Sequence, residues 1–374
     1  MKLLYILYFK APMGGLHENV YSSALFMKKK KCDVYVVLKP GLLQQRLEAK
    51  GIRTISTDFS DTDATVSKIE AVAIDFDLVH FHPGPSKTSA LKYGRKHNIP
   101  MVETFHGMWH DHLNKYIRHL SAVVTVSEGI RNNLQSRIKN YHEKYTVLPN
   151  GYDPKLFRKP RLYKHGQEEL TIGLITRLDH DKQFILDIYL LAAAHIRNKD
   201  AVKINFHVIG EGAYREDFLQ LLHKILEGSP HTIVYKGWLT DRELARAYME
   251  SDIVMAPGRS AIEGMVSGKP VIAVGSKKYI GLIHHNNWQE GLYRNFGGFG
   301  NKFNDYVLGS VEADLDLLLD APKNIRTIGE FSHEIAKRYF NADEINGRLY
   351  GLYKSLVQSK HVSNQIGSSP RLNE

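Results

Sequence analysis

The sequence predicts an α/β fold built from two doubly wound domains, each with a parallel sheet between two layers of helices. Short apolar runs alternate with segments of helical periodicity from residue 2 onward, as in parallel sheets that are covered on both faces. The alternation stops near Asn150 and starts again near residue 170. The length of 374 residues also suits two domains of about 150 residues each.

The first domain is predicted to span residues 1–160. Its expected strands are the continuous apolar runs at 2–8, 32–38, 53–57, 77–82, 100–105, 122–127 and 145–149. After them, a basic polar stretch from Asn150 to about Gly166 is interpreted as an interdomain linker.

The second domain is predicted over residues 161–341. Its expected strands are 170–176, 202–210, 232–237, 253–257 and 270–275, and its expected helices are 183–197, 213–227, 241–250, 260–267, 310–320 and 324–339. A last helix at 342–358 is expected to complete the first domain, and the polar tail 361–374 to be disordered. The cleft between two such domains is the expected ligand site.

Composition excludes several classes of protein. With 43% apolar and 24% charged residues, the chain is neither disordered nor collagen-like. No apolar run reaches the roughly 18 residues of a membrane span, and the short apolar start has no signal-peptide cleavage site. The single cysteine, Cys32, excludes an intrachain disulfide and is expected to be buried. The expected location is cytoplasmic, with peripheral contact at the inner face of the membrane left open.

Positive charge is concentrated in the first half of the chain. Residues 1–165 hold 26 Lys and Arg against 14 Asp and Glu, whereas residues 166–374 hold 24 against 26. The basic run Lys28–Lys31 has two interpretations: a solvated helix end that complements the helix dipole, or a contact for acidic lipid headgroups or an anionic acceptor. Nucleic-acid binding is not predicted, because no aromatic residues are interleaved with this run.

Two glycine pairs follow predicted strands. Gly14 and Gly15 lead directly into a helix, where the backbone can approach a ligand and free N–H groups can bind an anion. A tight turn is the alternative interpretation of this pair. Gly210 and Gly212 lack the third glycine of a dinucleotide fingerprint and give little support to a nicotinamide dehydrogenase.

Two cations follow the strand that opens the second domain. Arg177 and Lys182 lie at its carboxyl end, where open α/β sheets bind ligands. Two cations in this place suit a diphosphate that gains charge as it departs. The alternative is an exposed charged turn in which Asp181 lies near a helix N-terminus.

A third ligand pattern follows strand 253–257. The residues Gly258, Arg259 and Ser260 form an anion-ready helix start, and Glu263 follows about one turn later. A carboxylate in this position is the usual partner of ribose hydroxyls in dinucleotide folds. The alternative is a surface glutamate that stabilises the helix dipole.

Seven histidines lie between residues 80 and 119, at positions 80, 82, 97, 106, 110, 112 and 119. Their spacing fits no standard zinc site, so no metal is predicted. His106 follows a strand and precedes Gly107, and it is therefore predicted to face a ligand.

Taken in this order, the motifs resemble those of the retaining glycosyltransferases of family four, which have the GT-B fold of two Rossmann-like domains facing a central cleft. The resemblance covers about residues 1–350. It is carried by Gly14-Gly15, Asp77-Leu-Val-His-Phe-His82, Thr104-Phe-His-Gly107, Leu148-Pro-Asn-Gly-Tyr-Asp153, Arg177 to Lys182, Val208-Ile-Gly-Glu-Gly212 and Glu263-Gly-Met to Gly268-Lys-Pro-Val-Ile272.

The resemblance implies roles for individual residues. Arg177 and Lys182 would neutralise the donor diphosphate in place of a metal, so that no cofactor is implied. His106 would contact the donor sugar, and Glu263 would hold the ribose hydroxyls. The other donor-binding residues that it implies are Gly14, Gly15, Gly210, Gly212, Gly237, Trp238, Gly258, Arg259 and Ser260. The chain departs from the family at Met255, where the first of two glutamates often stands.

The prediction is a metal-independent, retaining hexosyltransferase that moves a sugar from a nucleotide diphosphate donor, with UDP favoured. The basic first domain favours an anionic or lipid-linked acceptor, as in the synthesis of cell-surface polysaccharide or glycolipid. Two alternatives stay open: a nucleotide-sugar epimerase or hydrolase of the same fold, and a non-catalytic protein that binds an anionic polymer or a membrane surface.

Overall fold

A computed structural model describes residues 1–11, 13–160, 169–199, 202–300 and 306–367. The chain divides into two compact units. Unit 1 comprises Met1–Pro149 together with the C-terminal segment from Asp343, and unit 2 comprises Asn150–Ala342. Each unit has its own sheet covered by helices, which confirms the predicted fold class.

The sheet of unit 1 has seven strands, all paired in parallel. They are β1 (Lys2–Ile6), β2 (Asp33–Leu38), β3 (Arg53–Ser56), β4 (Leu78–Phe81), β5 (Met101–Phe105), β6 (Ala122–Thr125) and β7 (Tyr145–Val147). The spatial order is β3-β2-β1-β4-β5-β6-β7, so the direction of winding reverses between β1 and β4. Ligands of open α/β sheets bind beyond the carboxyl ends of the strands at this reversal.

The helices of unit 1 occupy the segments between the strands. They are α1 (Gly15–Lys29), α2 (Leu42–Ala49), α3 (Thr62–Glu70), α4 (Pro85–Lys96) and α5 (Glu128–Arg137). Polar caps set two of the starts: the Asp61 side chain accepts from the N–H groups of Asp63 and Ala64, and Ser127 accepts from Ile130. At the end of α1, Lys28 donates to the carbonyl oxygen of Gly51 at 3.0 Å.

The sheet of unit 2 has six strands in the order β10-β9-β8-β11-β12-β13. They are β8 (Glu169–Ile175), β9 (Lys203–Ile209), β10 (Thr232–Gly237), β11 (Ile253–Ala256), β12 (Val271–Gly275) and β13 (Lys278–Leu282). Five are parallel, and β13 pairs antiparallel with β12. The winding reverses between β8 and β11.

Two apolar clusters pack on the sheet of unit 2. The helices that contribute to them or flank them are α6 (Gln183–Ile196), α7 (Arg215–Leu226), α8 (Asp241–Glu250), α9 (Gly258–Val266), α10 (Trp288–Tyr293), α11 (Ser310–Leu319) and α12 (Lys323–Tyr339). The hairpin strand β13 and the short helix α10 are absent from the sequence prediction. A Cβ on Gly297 would lie 2.3 Å from the Gly275 nitrogen, so two backbone segments touch there, and a local sequence pattern does not reveal such a contact.

The boundary between the units lies at Asn150, before the expected boundary at residue 160. Tyr152 forms a β-bridge with Asn341, and Phe157 is buried in an apolar cluster of unit 2. The segment after Asn150 therefore folds as part of unit 2 instead of acting as a linker, because its aromatic side chains find apolar partners there. Residues 161–166 of the expected linker lie outside the described residues.

The last helix, α13 (Ala342–Gly367), begins at the boundary and returns the chain to unit 1. Tyr353 of this helix is fully buried, and its hydroxyl lies 3.1 Å from that of Tyr5 on β1. The helix extends beyond its expected end at residue 358 and reaches Gly367, within the segment from residue 361 that is expected to be disordered. Residues 368–374 of the expected tail lie outside the described residues.

Two further expectations concern the cysteine and the membrane. Cys32 is buried as predicted, and burial raises the pKa of its thiol. Among the described residues, no helix is both long enough and apolar enough to cross a membrane.

Candidate functional site

The carboxyl edge of the unit 2 sheet collects most of the residues that the sequence analysis singled out. Parallel strands end at the same edge, so the turns after β8, β9, β10 and β11 meet there. They carry the segments Thr176–Lys182, Gly210–Gly212, Gly237–Trp238 and Gly258–Ser260. The turns after β8 and β11 flank the reversal of winding, which is the usual ligand position.

Arg177 and Lys182 lie together and share a carboxylate. Arg177 Nη2 and Lys182 Nζ each lie 2.9 Å from Asp181 Oδ2, and Arg177 also contacts Asp179. Lys182 Nζ donates to Ser276 Oγ, just beyond β12, at 2.8 Å. The alternative interpretation, an exposed charged turn, does not fit the structure, because the Arg177 and Lys182 side chains are only 17% and 21% exposed.

The charges of this cluster influence one another. Burial lowers the pKa of the Lys182 ammonium, while Asp181 acts in the opposite direction. Burial also acts to raise the pKa of Asp181, but the neighbouring Lys182 and Arg177 outweigh it and the pKa is lowered. Asp181 is therefore a carboxylate at neutral pH, held between two cations in the position where an anionic ligand could compete with it.

Gly210 and Gly212 pack against this cationic turn. A Cβ on Gly210 would lie 1.8 Å from the carbonyl oxygen of Thr176, and one on Gly212 would lie 2.3 Å from the Leu178 backbone. The two turns are also joined by hydrogen bonds, including Leu178 N to Glu211 O at 2.9 Å. In this structure the glycines allow the turn after β9 to support the turn that carries Arg177.

We expect Gly210→Ala to lower the free energy of unfolding by about 1–3 kcal/mol, because the added methyl group overlaps the Thr176 carbonyl. Urea denaturation of both proteins measures this difference. The matched control is Gly228→Ala, where φ is also positive (+74°) but a Cβ would meet nothing within 4 Å. Equal destabilisation by the two substitutions would mean that backbone strain alone matters and that close packing of the two turns does not.

Trp238 follows β10 at the same edge. Gly237 adopts a positive φ of 65°, and its carbonyl accepts from Gly210 N at 2.8 Å. The Trp238 side chain is half-buried, and its Nε1 is buried with no hydrogen-bond partner in the described part of the chain. An indole N–H in this position is available to a polar ligand group.

The start of α9 contains a buried ion pair. Arg259 Nε donates to Glu263 Oε1 at 2.7 Å, and the two side chains are 9% and 5% exposed. The Tyr248 hydroxyl lies 3.3 Å from Glu263 Oε2 and 2.9 Å from the Ser260 carbonyl oxygen. The carboxylate that the sequence analysis assigns to ribose hydroxyls is thus held against Arg259 and Tyr248.

Met255 lies in β11, fully buried in an apolar cluster. The position where the family often has its first glutamate is therefore part of the core. Pro257 is the one residue between β11 and α9, so the two elements are joined without a loop.

In unit 1, histidines gather at the carboxyl ends of β4 and β5: His80 lies within β4, and His82 and His106 directly follow β4 and β5. His82 Nδ1 lies 3.1 Å from His106 Nε2, and His80 Nε2 lies 2.7 Å from Thr104 Oγ1. Burial lowers the pKa of His80 to about 3 and that of His106 to about 4, and the charge of a neighbouring histidine is the second, smaller cause for each. The imidazole of His106 is consequently neutral at physiological pH and can exchange a hydrogen bond with a hydroxyl group.

Gly14 and Gly15 lie at the start of α1, after β1 and so at the same reversal of winding as His82. Gly15 is exposed, and a Cβ there would meet nothing within 4 Å. The space beside it is open to a ligand. Among the described residues, no group of three or more His, Cys, Asp or Glu side chains is arranged to hold a metal ion.

Sequence reasoning missed Ser276, Tyr248 and the pairing role of Asp181. Asp179 and Asp181 stand out in the sequence as an Asp-x-Asp pair in the turn with Arg177, which is a local signal for a paired cluster. Tyr248 and Ser276 lie on distant segments and have no local signal.

Two family models match the chain, one in each unit. The model described as Glycosyltransferase Family 4 matches residues 13–156, and the model described as Glycosyl transferases group 1 matches residues 169–293. An uncharacterized glycosyltransferase of Methanocaldococcus jannaschii is 22% identical over 251 residues, which are 58% of this chain and 63% of that protein. The chain therefore matches less than two thirds of that relative's length.

Solved structures share the fold. A glycosyltransferase from Rickettsia africae superposes with a TM-score of 0.72 at 17% identity, over 95% of this chain and 98% of that chain. Anabaena HepE, solved with UDP and glucose, superposes with a TM-score of 0.69 at 17% identity, over 95% and 100%. Since the two family models together cover more than half of the chain, this protein belongs to the family of the group 1 and Family 4 glycosyltransferases, and the two solved structures share its GT-B fold.

Proposed function

We propose that this glycosyltransferase moves a hexosyl group from a UDP-sugar to an acceptor, with retention of anomeric configuration and without a metal ion. The observation that carries the proposal is the paired cation cluster of Arg177 and Lys182 at the reversal of winding in unit 2. UDP is favoured because the similar Anabaena protein was solved with UDP and glucose.

The two cations act on the leaving group. As the sugar–phosphate bond breaks, negative charge grows on the UDP diphosphate. Arg177 and Lys182 therefore stabilise the transition state more strongly than the ground state. Their present partners, Asp179 and Asp181, hold them in position before the donor binds. Two preorganised cations can supply the charge stabilisation that a metal supplies elsewhere.

The nucleoside is assigned to the neighbouring turns of the same edge. Trp238 offers a buried, unpartnered indole N–H and an aromatic face to the base, within the described residues. The Glu263 carboxylate is the assigned ribose partner, and donor binding there would exchange its contact with Tyr248 for ribose hydroxyls. The backbone N–H groups from Gly258 to Ser260 are assigned to phosphate or sugar.

The roles in unit 1 rest on the resemblance. His106 is assigned as a contact of the donor sugar through a neutral imidazole, and the departing phosphate oxygen takes the acceptor proton in the retaining reaction. The basic composition of residues 1–165 supports an anionic or lipid-linked acceptor. We therefore assign the enzyme to cell-surface polysaccharide or glycolipid synthesis on the cytoplasmic side of the membrane.

A panel of nucleotide sugars tests the proposal. We expect UDP-sugars, with EDTA present, to raise the melting temperature more than GDP- or ADP-sugars and to be hydrolysed slowly without acceptor. Loss of binding in EDTA would contradict metal independence, and a melting temperature that no nucleotide sugar raises would favour the non-catalytic alternative. Fast acceptor-free turnover would instead indicate an epimerase or hydrolase, and NMR of the product anomer tests retention.

A further inference from the structure

Unit 1 contains a pocket at the amino-terminal edge of its sheet, at the opposite end of β5 from His106. Its volume is about 580 Å³, within the range of small-ligand sites. The lining comes from the end of α4, the starts of β5 and β6 and the last helix α13, and it includes Arg95, Ile99, Met101, His119, Leu356 and Lys360. None of these residues belongs to the proposed donor site.

The pocket has cations on one part of its wall. Arg95 and Lys360 line it together with the imidazole of His119, whose Nε2 accepts a hydrogen bond from Arg118 Nε at 3.1 Å. The described residues place no carboxylate within ion-pair distance of Arg95, Arg118 or Lys360. Positive charge is therefore gathered here without a counter-charge, which an anionic ligand would supply.

The cations around the pocket affect the pKa of His119. Burial, and after it the charges of Arg95, Arg118 and Lys144, lower the pKa of its imidazole. Lys144 is fixed nearby, because its ammonium donates to the carbonyl oxygens of Leu120 at 2.6 Å and Ile117 at 3.0 Å. The cluster is thus held by the fold around the segment that precedes β6.

The rest of the wall is mixed, with Asn98, Ser121 and Ser359 as neutral polar residues. Ile99, Pro100, Met101 and Leu356 of α13 form its apolar part. A bare inorganic ion would leave this surface unused, whereas an organic phosphate would place its charge on the cations and its carbon portion on the apolar wall.

We propose that this pocket binds an organic phosphate, with the phosphate group held by Arg95, His119 and Lys360 and the apolar portion on Ile99, Met101 and Leu356. The ligand is either the headgroup region of an anionic phospholipid or a soluble phosphorylated metabolite. Both present the same chemistry to the pocket. The first half of the chain has an excess of positive charge, and the cations of the proposed donor site lie in unit 2 instead. A phosphate site in unit 1 would account for part of that excess.

The test uses the full-length protein with saturating UDP present, so that phosphate probes do not report on Arg177 and Lys182. The probes are glycerol 3-phosphate, dihexanoyl phosphatidic acid, and vesicles of phosphatidylcholine with or without phosphatidylglycerol. The test variant is Arg95→Gln with Lys360→Gln. The matched control is Arg137→Gln with Lys139→Gln, which removes the same charge from an exposed arginine and an exposed lysine of unit 1 outside the pocket.

We expect the test variant to lose about tenfold or more in affinity for dihexanoyl phosphatidic acid, and the control to bind like the wild type. Binding of the soluble probes as tight as that of vesicles would identify a soluble ligand, whereas binding confined to phosphatidylglycerol vesicles would identify the lipid. Equal losses in both variants would mean diffuse surface attraction and overturn the proposal, as would a wild type that binds none of the probes. An unchanged UDP-induced rise in melting temperature in the test variant shows that it is folded.

Discussion

Arg177→Ala and Lys182→Ala should each lower turnover by about 10²–10³-fold, the effect of removing one preorganised donor from developing charge. The physical reason is that the leaving diphosphate gains charge in the transition state, and each cation stabilises that charge in a partly buried setting. Steady-state transfer with a UDP-sugar measures the effect, and circular dichroism checks the fold. Arg197→Ala, an exposed arginine elsewhere in unit 2, is the charge-matched control and should keep normal transfer.

A second variant separates the charge of the cations from their positioning. Asp181→Asn removes the carboxylate that both cations now contact while preserving its size. We expect it to lower the KM for the donor a few-fold, since the diphosphate no longer competes with Asp181 for the cations. A fall in turnover as large as that of Arg177→Ala would show that Asp181 acts during catalysis, and would contradict its assigned role of holding the two cations only before the donor binds.

Glu263→Ala should lower the free energy of unfolding by about 3–5 kcal/mol, because it leaves the buried Arg259 guanidinium without this carboxylate. Urea denaturation gives the value. The control is Glu250→Ala, which removes a half-exposed partner of Lys236 and should cost about 0–1 kcal/mol. Equal effects of the two substitutions would contradict a structural role for the buried pair.

Glu263→Gln tests the ribose assignment of the same residue. Glutamine keeps the volume and one carbonyl acceptor for Arg259, so we expect a smaller loss of stability than with alanine. Its UDP affinity should nevertheless fall about tenfold, since a neutral amide binds two ribose hydroxyls less strongly than a carboxylate. If the free energy of unfolding and the UDP affinity fell in the same proportion in Glu263→Ala and Glu263→Gln, the role of Glu263 would be to stabilise α9 and not to bind ribose.

Much of each sheet is predictable from local sequence. The runs that become β1, β2 and β12 are almost entirely apolar because both faces of a parallel strand are covered, and that pattern needs no tertiary information. The hairpin strand β13 is not predicted because it is short and partly exposed, and because Gly275 at the end of β12 serves a close backbone approach to Gly297.

The candidate site was predictable in its residues but not in its contacts. Arg177 and Lys182 stand directly after a strand, and parallel strands end at a common edge, so their approximate place follows from order alone. The contact with Ser276 does not follow from order, because Ser276 lies far along the chain from Lys182 and meets it only through the pairing of strands. The burial of Glu263 against Tyr248 depends likewise on how α8 and α9 pack.

By itself, the sequence determined the two α/β domains, the strands that end at each ligand edge and the family resemblance, because these depend on periodicity and on glycine and charge at fixed spacings. Only the tertiary structure decided that the unit boundary lies at Asn150 and that α13 runs to Gly367. It also decided that Arg95, His119 and Lys360 line one pocket. The physical reason is that burial and charge pairing depend on distance in space, and the fold brings together residues that the sequence holds far apart.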